Sequence, residues 1–329
     1  MISIGLLGCG RIGQVHARSI ARMRNAHLTA LSDAMPDAAK SLAETSGAEV
    51  RTTEDIIKAS DIDAVIVATP TTLHYDQIHA LAAEGKAIFC EKPIDLSTER
   101  AIACQTAVEK ARVPFMTAFN RRFDPHFAHL QAQLASGAIG PTELVVITSR
   151  DPAPPPIDYI KQSGGLFRDM MIHDFDMARF LLGEEPVEIY ASGACFVDPE
   201  IGAAGDIDTA MVILKTASGK LAHINNSRRA TYGYDQRIEV HGAEGMLQAA
   251  NQLEHHVTQA GTSGFTSAPN QLFFLERYEA AYLAEMQSFV EALEKGETPT
   301  PSIADAVAAQ RIADAAARSF KTGTPELLT

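Results

Sequence analysis

The chain has 329 residues, 46% hydrophobic and 21% charged, enough to bury a large core and to form two domains. Its formal net charge of −13 argues against a nucleic-acid partner, because polyanions are normally met with a basic surface. The four cysteines (Cys9, Cys90, Cys104, Cys195) form no CxxC pair, the N-terminus has no leader-like run, and no apolar stretch approaches the roughly 18 residues that span a bilayer. A cytoplasmic protein with no membrane partner, acting on a small molecule, is the expectation.

In chain order, ISIGLLG reads as an apolar strand, followed by Gly8, Gly10 and Gly13 and a helical pattern through Val15, Ala17, Ile20 and Met23. A second strand, HLTALSD, ends at Asp33. Helix 36–46, a strand near 49–52, helix 54–59, strand DAVIVAT, helix 75–84, strand KAIFCEKP, helix 97–111 and strand PFMTAFN continue the alternation. That rhythm predicts a parallel, doubly wound sheet over residues 1–120, with ligands outside the carboxyl ends of its strands.

From 121 to 329 the pattern changes. A helical stretch to about Ser136 leads through strand ELVVITSR and the loop DPAPPPIDY into a helix expected over 164–182. Five strands follow, VEIYASGACF, DTAMVILKTASG, KLAHINNSR, DQRIEVHG and EGMLQAANQ, with short turns and no helices between them, which predicts an antiparallel sheet. Helices 274–295 and 303–319 close the chain. The expected fold class is α/β: an N-terminal doubly wound parallel sheet, then an α+β domain with a large, mostly antiparallel sheet. With helices on one face only, the other face stays open, and a homo-oligomer is expected there.

The spacing of Gly8, Gly10 and Gly13 between strand and helix is the context a dinucleotide site requires. The glycines permit a tight turn and close approach of the backbone to a pyrophosphate, and the helix N-terminus offers N–H groups to it. Asp33 lies 20 residues beyond Gly13, where an acid accepts hydrogen bonds from ribose hydroxyls and repels a 2′-phosphate, so NAD is expected over NADP. Ala68-Thr69-Pro70-Thr71, Glu91-Lys92-Pro93 and Asn120-Arg121-Arg122 stand at further strand ends. The expected cofactor set is Gly8, Gly10, Arg11, Ile12, Gly13, Asp33, Thr69, Pro70, Thr71, His74, Glu91 and Lys92.

In GGLFRDMMIHDFD, Asp169 and His173 share the apolar stripe of Leu166, Met170, Met177, Phe180 and Leu181, one helical turn apart. A buried carboxylate and imidazole need a partner or a task. Oxidising a secondary alcohol by hydride transfer needs a base for the hydroxyl proton. His173 titrates near neutrality when unperturbed, and Asp169 can orient it and stabilise the imidazolium. A self-satisfied buried pair is the bland alternative. A metal is the weaker one, because Asp174 and Asp176 leave the face of His173 and no H-E-x-x-H or comparable ligand pair is present.

GCGRIGQVHA, ATPTTLHYD, CEKP and GGLFRDMMIHDFD together resemble the glucose-fructose oxidoreductase and inositol dehydrogenase family, over nearly the whole chain. RDPAPPPIDYIKQSGGLFRDMMIHDFDMARFLLGE is most similar to its inositol 2-dehydrogenase branch. The resemblance implies a Rossmann domain, an α+β domain whose open sheet mediates tetramer formation, and NAD-dependent oxidation of a cyclic polyol, above all myo-inositol to its 2-keto product. It implies that Lys92, Asp169 and His173 surround the reacting carbon, and that Arg121, Asp151 and Tyr234 contact substrate. A shift of one or two places would substitute Arg122, Arg150 or Tyr232. Oxidation of another sugar or sugar acid, and a non-catalytic NAD-binding sensor, stand as alternatives.

Overall fold

The computed structural model describes residues 1–328. Two compact units emerge from the packing: the first comprises Met1–Phe123 with Ala280–Gln310, the second Asp124–Glu279 with the chain from Arg311 onward. The stretch 280–310, expected with the C-terminal half, thus belongs to the first unit.

In the first unit, strands β1 (Ile2–Leu7), β2 (Ala26–Ser32), β3 (Glu49–Val50), β4 (Ala64–Val67), β5 (Ala87–Cys90) and β6 (Phe115–Thr117) alternate with helices α1 (Arg11–Ala21), α2 (Pro36–Ser46), α3 (Thr53–Lys58), α4 (His74–Ala83) and α5 (Thr98–Ala111). The strands pair in parallel in the order β3-β2-β1-β4-β5-β6. This is the doubly wound arrangement, reversing direction at β1 and β4. All four residues of β4 are buried, as a strand covered on both faces must be. The core joins Ile4, Leu6, Ile66, Phe89 and Met116 to Met286, Phe289 and Val290. Each fully buried side chain of this size contributes about 1.5–3 kcal/mol.

The second unit begins with α6 (Pro125–Ala135), capped by Asp124, and strand β7 (Thr142–Arg150). Next come α7 (Ile157–Ser163), α8 (Leu166–Asp169), α9 (Ile172–Leu182), β8 (Pro186–Ala194), α10 (Pro199–Ala203), β9 (Thr209–Thr216), β10 (Leu221–Ser227), β11 (Asp235–Gly242) and β12 (Gly245–Ala249). A small hairpin, β13 (Gln259–Gly261) with β14 (Gly264–Thr266), and α11 (Phe274–Arg277) follow. Helices α12 (Glu279–Lys295) and α13 (Ile303–Thr322) and strand β15 (Glu326–Leu327) complete the chain. The large sheet runs β12-β11-β7-β10-β9-β8-β15, antiparallel except that β7 and β10 are parallel. Along β9 and β10 buried and less buried residues alternate, and α9 packs on β7 and β10. Tyr190, Met211 and Ile213 are exposed large apolar residues on these strands.

Three local expectations are corrected. The helix over 164–182 is two helices, because the Met171 N–H reaches back to Leu166 O (3.0 Å) while those of Asp174 and Phe175 turn to Met171 O (2.9 Å each), restarting the ladder. The proline-rich loop 151–163 ends in α7, for which Pro156 is the N-cap. Residues 274–295 are broken at Tyr278, whose ring is buried.

Candidate functional site

The turn after β1 is shaped by glycines that leave no room for a side chain. Gly8 has φ +97°, and a Cβ there would lie 2.4 Å from Ala68 O; one on Gly13 would lie 2.0 Å from Gly8 O. These contacts press the turn onto the end of β4 and α1 onto the turn. Gly10 differs: it is exposed, with nothing within 4 Å of its Cβ position, so its backbone is open to a ligand. It also provides no capping side chain for α1. The first N–H groups of that helix, at Arg11, Ile12 and Gly13, have no intrahelical acceptor and suit a pyrophosphate.

Asp33, just beyond β2, accepts from Cys9 N (2.6 Å, Oδ2) and Met35 N (2.7 Å, Oδ1). Its carboxylate is therefore fixed beside the glycine turn, and each oxygen keeps a second lone pair suited to a ribose hydroxyl. Burial, and next the Asp33 charge, push the Cys9 thiol up to about 11, so it stays neutral. Glycine cradle, uncapped helix and fixed acid together fit a dinucleotide.

The loops after β4 and β5 are tied by His74, whose buried ring places Nε2 2.8 Å from Thr69 O and Nδ1 3.0 Å from Pro93 O. Burial holds its pKa below the ordinary value, although both carbonyls favour the cation. Thr69 donates to Gln77 Oε1 (2.6 Å), Pro70 is exposed, and Thr71 opens a 3-10 turn. Glu91 Oε1 lies 2.7 Å from His16 Nε2, which turns its side chain into the unit's interior. Lys92 is half-buried directly after it. Arg121 is buried in the turn Asn120–Phe123, while Arg122 pairs with Asp305 (3.0 Å). The first unit thus gathers the whole expected cofactor set, with Lys92 and Arg121, at the carboxyl ends of its strands.

The second unit holds Asp151, Asp169, His173 and Tyr234. Asp169 ends α8 and His173 is the second residue of α9, both half-buried. Asp169 accepts from Tyr159 OH (2.8 Å, Oδ1) and from Arg228 Nη2 (3.1 Å, Oδ2). Neither partner was expected from the sequence. Tyr159 lay in a stretch read as loop, and Arg228 is one of two arginines after β10. Asp174 and Asp176 are buried, Asp174 accepting from Asn226 Nδ2 (2.9 Å). Asp151 donates its N–H to Ser227 O (2.9 Å). Tyr234 is buried edge-on against Phe273 and Tyr278, whereas Tyr232 is exposed, donating to Asp235 (2.6 Å) and accepting from Arg150 (2.9 Å).

Comparison with known proteins adds to this geometry. Residues 2–119 match the oxidoreductase family with NAD-binding Rossmann fold, and residues 127–248 the GFO/IDH/MocA C-terminal domain. An inositol 2-dehydrogenase of Rhizobium meliloti is 55% identical over 318 residues, covering 97% of this chain and 96% of its own. The crystal structure of a myo-inositol dehydrogenase from Corynebacterium glutamicum superposes with TM-score 0.97 at 41% identity, covering 100% of this chain and 99% of that one. That of scyllo-inositol dehydrogenase from Lactobacillus casei, with bound NAD(H) and scyllo-inositol, superposes at 0.93 with 30% identity, covering 100% and 99%. The chain belongs to the GFO/IDH/MocA oxidoreductase family, its first unit is the NAD-binding Rossmann domain, and NAD is its cofactor.

Proposed function

We propose that this protein oxidises myo-inositol to 2-keto-myo-inositol with NAD, His173 serving as the general base. The observation that carries the reading is the match, over nearly the full length of both chains, to an inositol 2-dehydrogenase at 55% identity. Bound NAD supplies the electrophilic nicotinamide ring that accepts the hydride. Gly8, Gly10, the first turn of α1 and Asp33 hold the cofactor. His173 takes the hydroxyl proton as the C–H bond is lost, since otherwise a protonated ketone would form. Asp169 orients the imidazole and stabilises its cation. Lys92 sets an ammonium beside the developing alkoxide. Arg121, Asp151 and Tyr234 are assigned to the remaining polyol hydroxyls. Scyllo-inositol is the competing substrate, favoured by the likeness to the Lactobacillus casei enzyme.

The exposed Tyr190, Met211 and Ile213 support a homotetramer built on the open sheet face, testable by sedimentation velocity. Among the described residues no helix is long and apolar enough to cross a membrane, and a cytoplasmic role in inositol catabolism is part of the proposal. Absorbance of reduced cofactor, followed with NAD or NADP against inositols, hexoses and sugar acids, tests the substrate. Lys92→Met and His173→Ala should each lower kcat at least about a hundredfold. Near-normal turnover in either variant removes that residue from the mechanism.

A further inference from the structure

Arg228 is the largest wholly buried side chain of the protein, only 1% exposed, and its backbone N–H is anchored on Asp208 O (2.8 Å). A buried guanidinium is tolerated only with a counter-charge, and the acceptor its Nη2 reaches is Asp169 Oδ2 at 3.1 Å. The other Asp169 oxygen is taken by the hydroxyl of Tyr159, from α7, at 2.8 Å. Tyr159 is half exposed overall. Enclosure of its hydroxyl, and next the charge of Asp169, hold the phenol well above its usual range, so it remains a donor. One carboxylate is thereby gripped from α7 and from the segment after β10, 10 and 59 residues away in the chain.

We infer that Arg228 and Tyr159 are positioning residues for the dehydrogenase reaction, acting through Asp169. The inference rests on the reading of Asp169 and His173 given above. A carboxylate hung on α8 alone would turn about its side-chain torsions. Held by a charged donor on one oxygen and a neutral donor on the other, it has one direction. Reactions of this kind lose about a hundredfold for a misplacement of about 1 Å.

The test uses the full chain, with myo-inositol and NAD for turnover, NADH fluorescence for cofactor binding, and thermal unfolding. Arg228→Met should lower kcat about a hundredfold while the NADH Kd stays within about twofold. Arg228→Lys, which restores the charge without the planar fork, should recover at least about tenfold of that loss. Tyr159→Phe should lower kcat about fivefold with little change in KM. In unfolding, Asp169→Asn should lower Tm by about 5 °C, and adding Arg228→Met should return part of it, because the stranded buried cation is then gone.

Arg228→Met turning over within about threefold of wild type, or a lysine variant no better than the methionine one, overturns the inference. So do Tm losses that simply add. Should the methionine variant fail to fold, the lysine and phenylalanine variants decide the matter. Wild-type protein that oxidises no polyol overturns the functional reading instead, and the Tm cycle still establishes or refutes the grip of Arg228 on Asp169.

Discussion

Glu285 lies on the inward face of α12, wholly buried, and neither carboxyl oxygen has a hydrogen-bond partner among the described residues. Burial, and next the charge of Glu91, push its pKa well above the ordinary carboxyl value. In the folded protein Glu285 therefore keeps its proton to higher pH than in the unfolded chain, where it ionises in the usual carboxylate range. The folded state then binds one more proton, so stability falls as pH rises, by about 1.4 kcal/mol per unit, from the unfolded pKa up to the raised folded one. Glu285→Gln has the same shape and cannot titrate. The stability of this variant minus that of wild type should therefore grow in favour of glutamine as pH rises through the window 5.5 to 7.5, by no more than about 2.7 kcal/mol, the limit for one proton. Urea unfolding followed by circular dichroism, at one protein concentration, measures that difference with other titrations cancelled. A gap that stays constant over the window would show that Glu285 is ionised in the fold, and the reasoning from its burial would be refuted.

Two further outcomes follow from the cofactor cradle. Gly8→Ala forces a side chain into a φ of +97° and to 2.4 Å from Ala68 O, so NADH should bind at least about tenfold more weakly in a fluorescence titration. A Kd within about threefold of wild type would show that the turn can give. Asp33→Ala removes the carboxylate set against a 2′-phosphate, a like-charge clash worth several kcal/mol, so the ratio of kcat/KM for NAD over NADP should fall at least about a hundredfold. An unchanged ratio would mean that discrimination lies elsewhere.

The sequence made the first unit legible because its signals are local. A glycine triplet between strand and helix, an acid at a strand end and a strict alternation of periods each depend on residues close in the chain, and β1 to β6 form the parallel, doubly wound sheet expected. The break at Met170 and Met171 was hidden because neither residue is a helix breaker; the interruption comes from the longer reach of Met171 N–H to Leu166 O. The helix α7 was masked by the prolines that precede it, the last of which, Pro156, is its N-cap. Arg228 follows β10 directly, with nothing local in the sequence to mark it as buried. Its burial is set by Asp169, 59 positions earlier, and no periodicity records a pairing across that distance. Arg122 illustrates the same limit, since its partner Asp305 lies 183 positions away.

The single parallel pair inside the second sheet governs how that unit can change. Because β7 and β10 run the same way in register, with Ser227 opposite Arg150, both strands end at the same end of the sheet. Residues 151–163 and 228–234 therefore emerge side by side although nearly eighty positions of sequence separate their starting points. The two segments form an interchangeable rim on a fixed floor. Under the proposed function, lengthening or recomposing them should change substrate choice while leaving the antiparallel strands undisturbed.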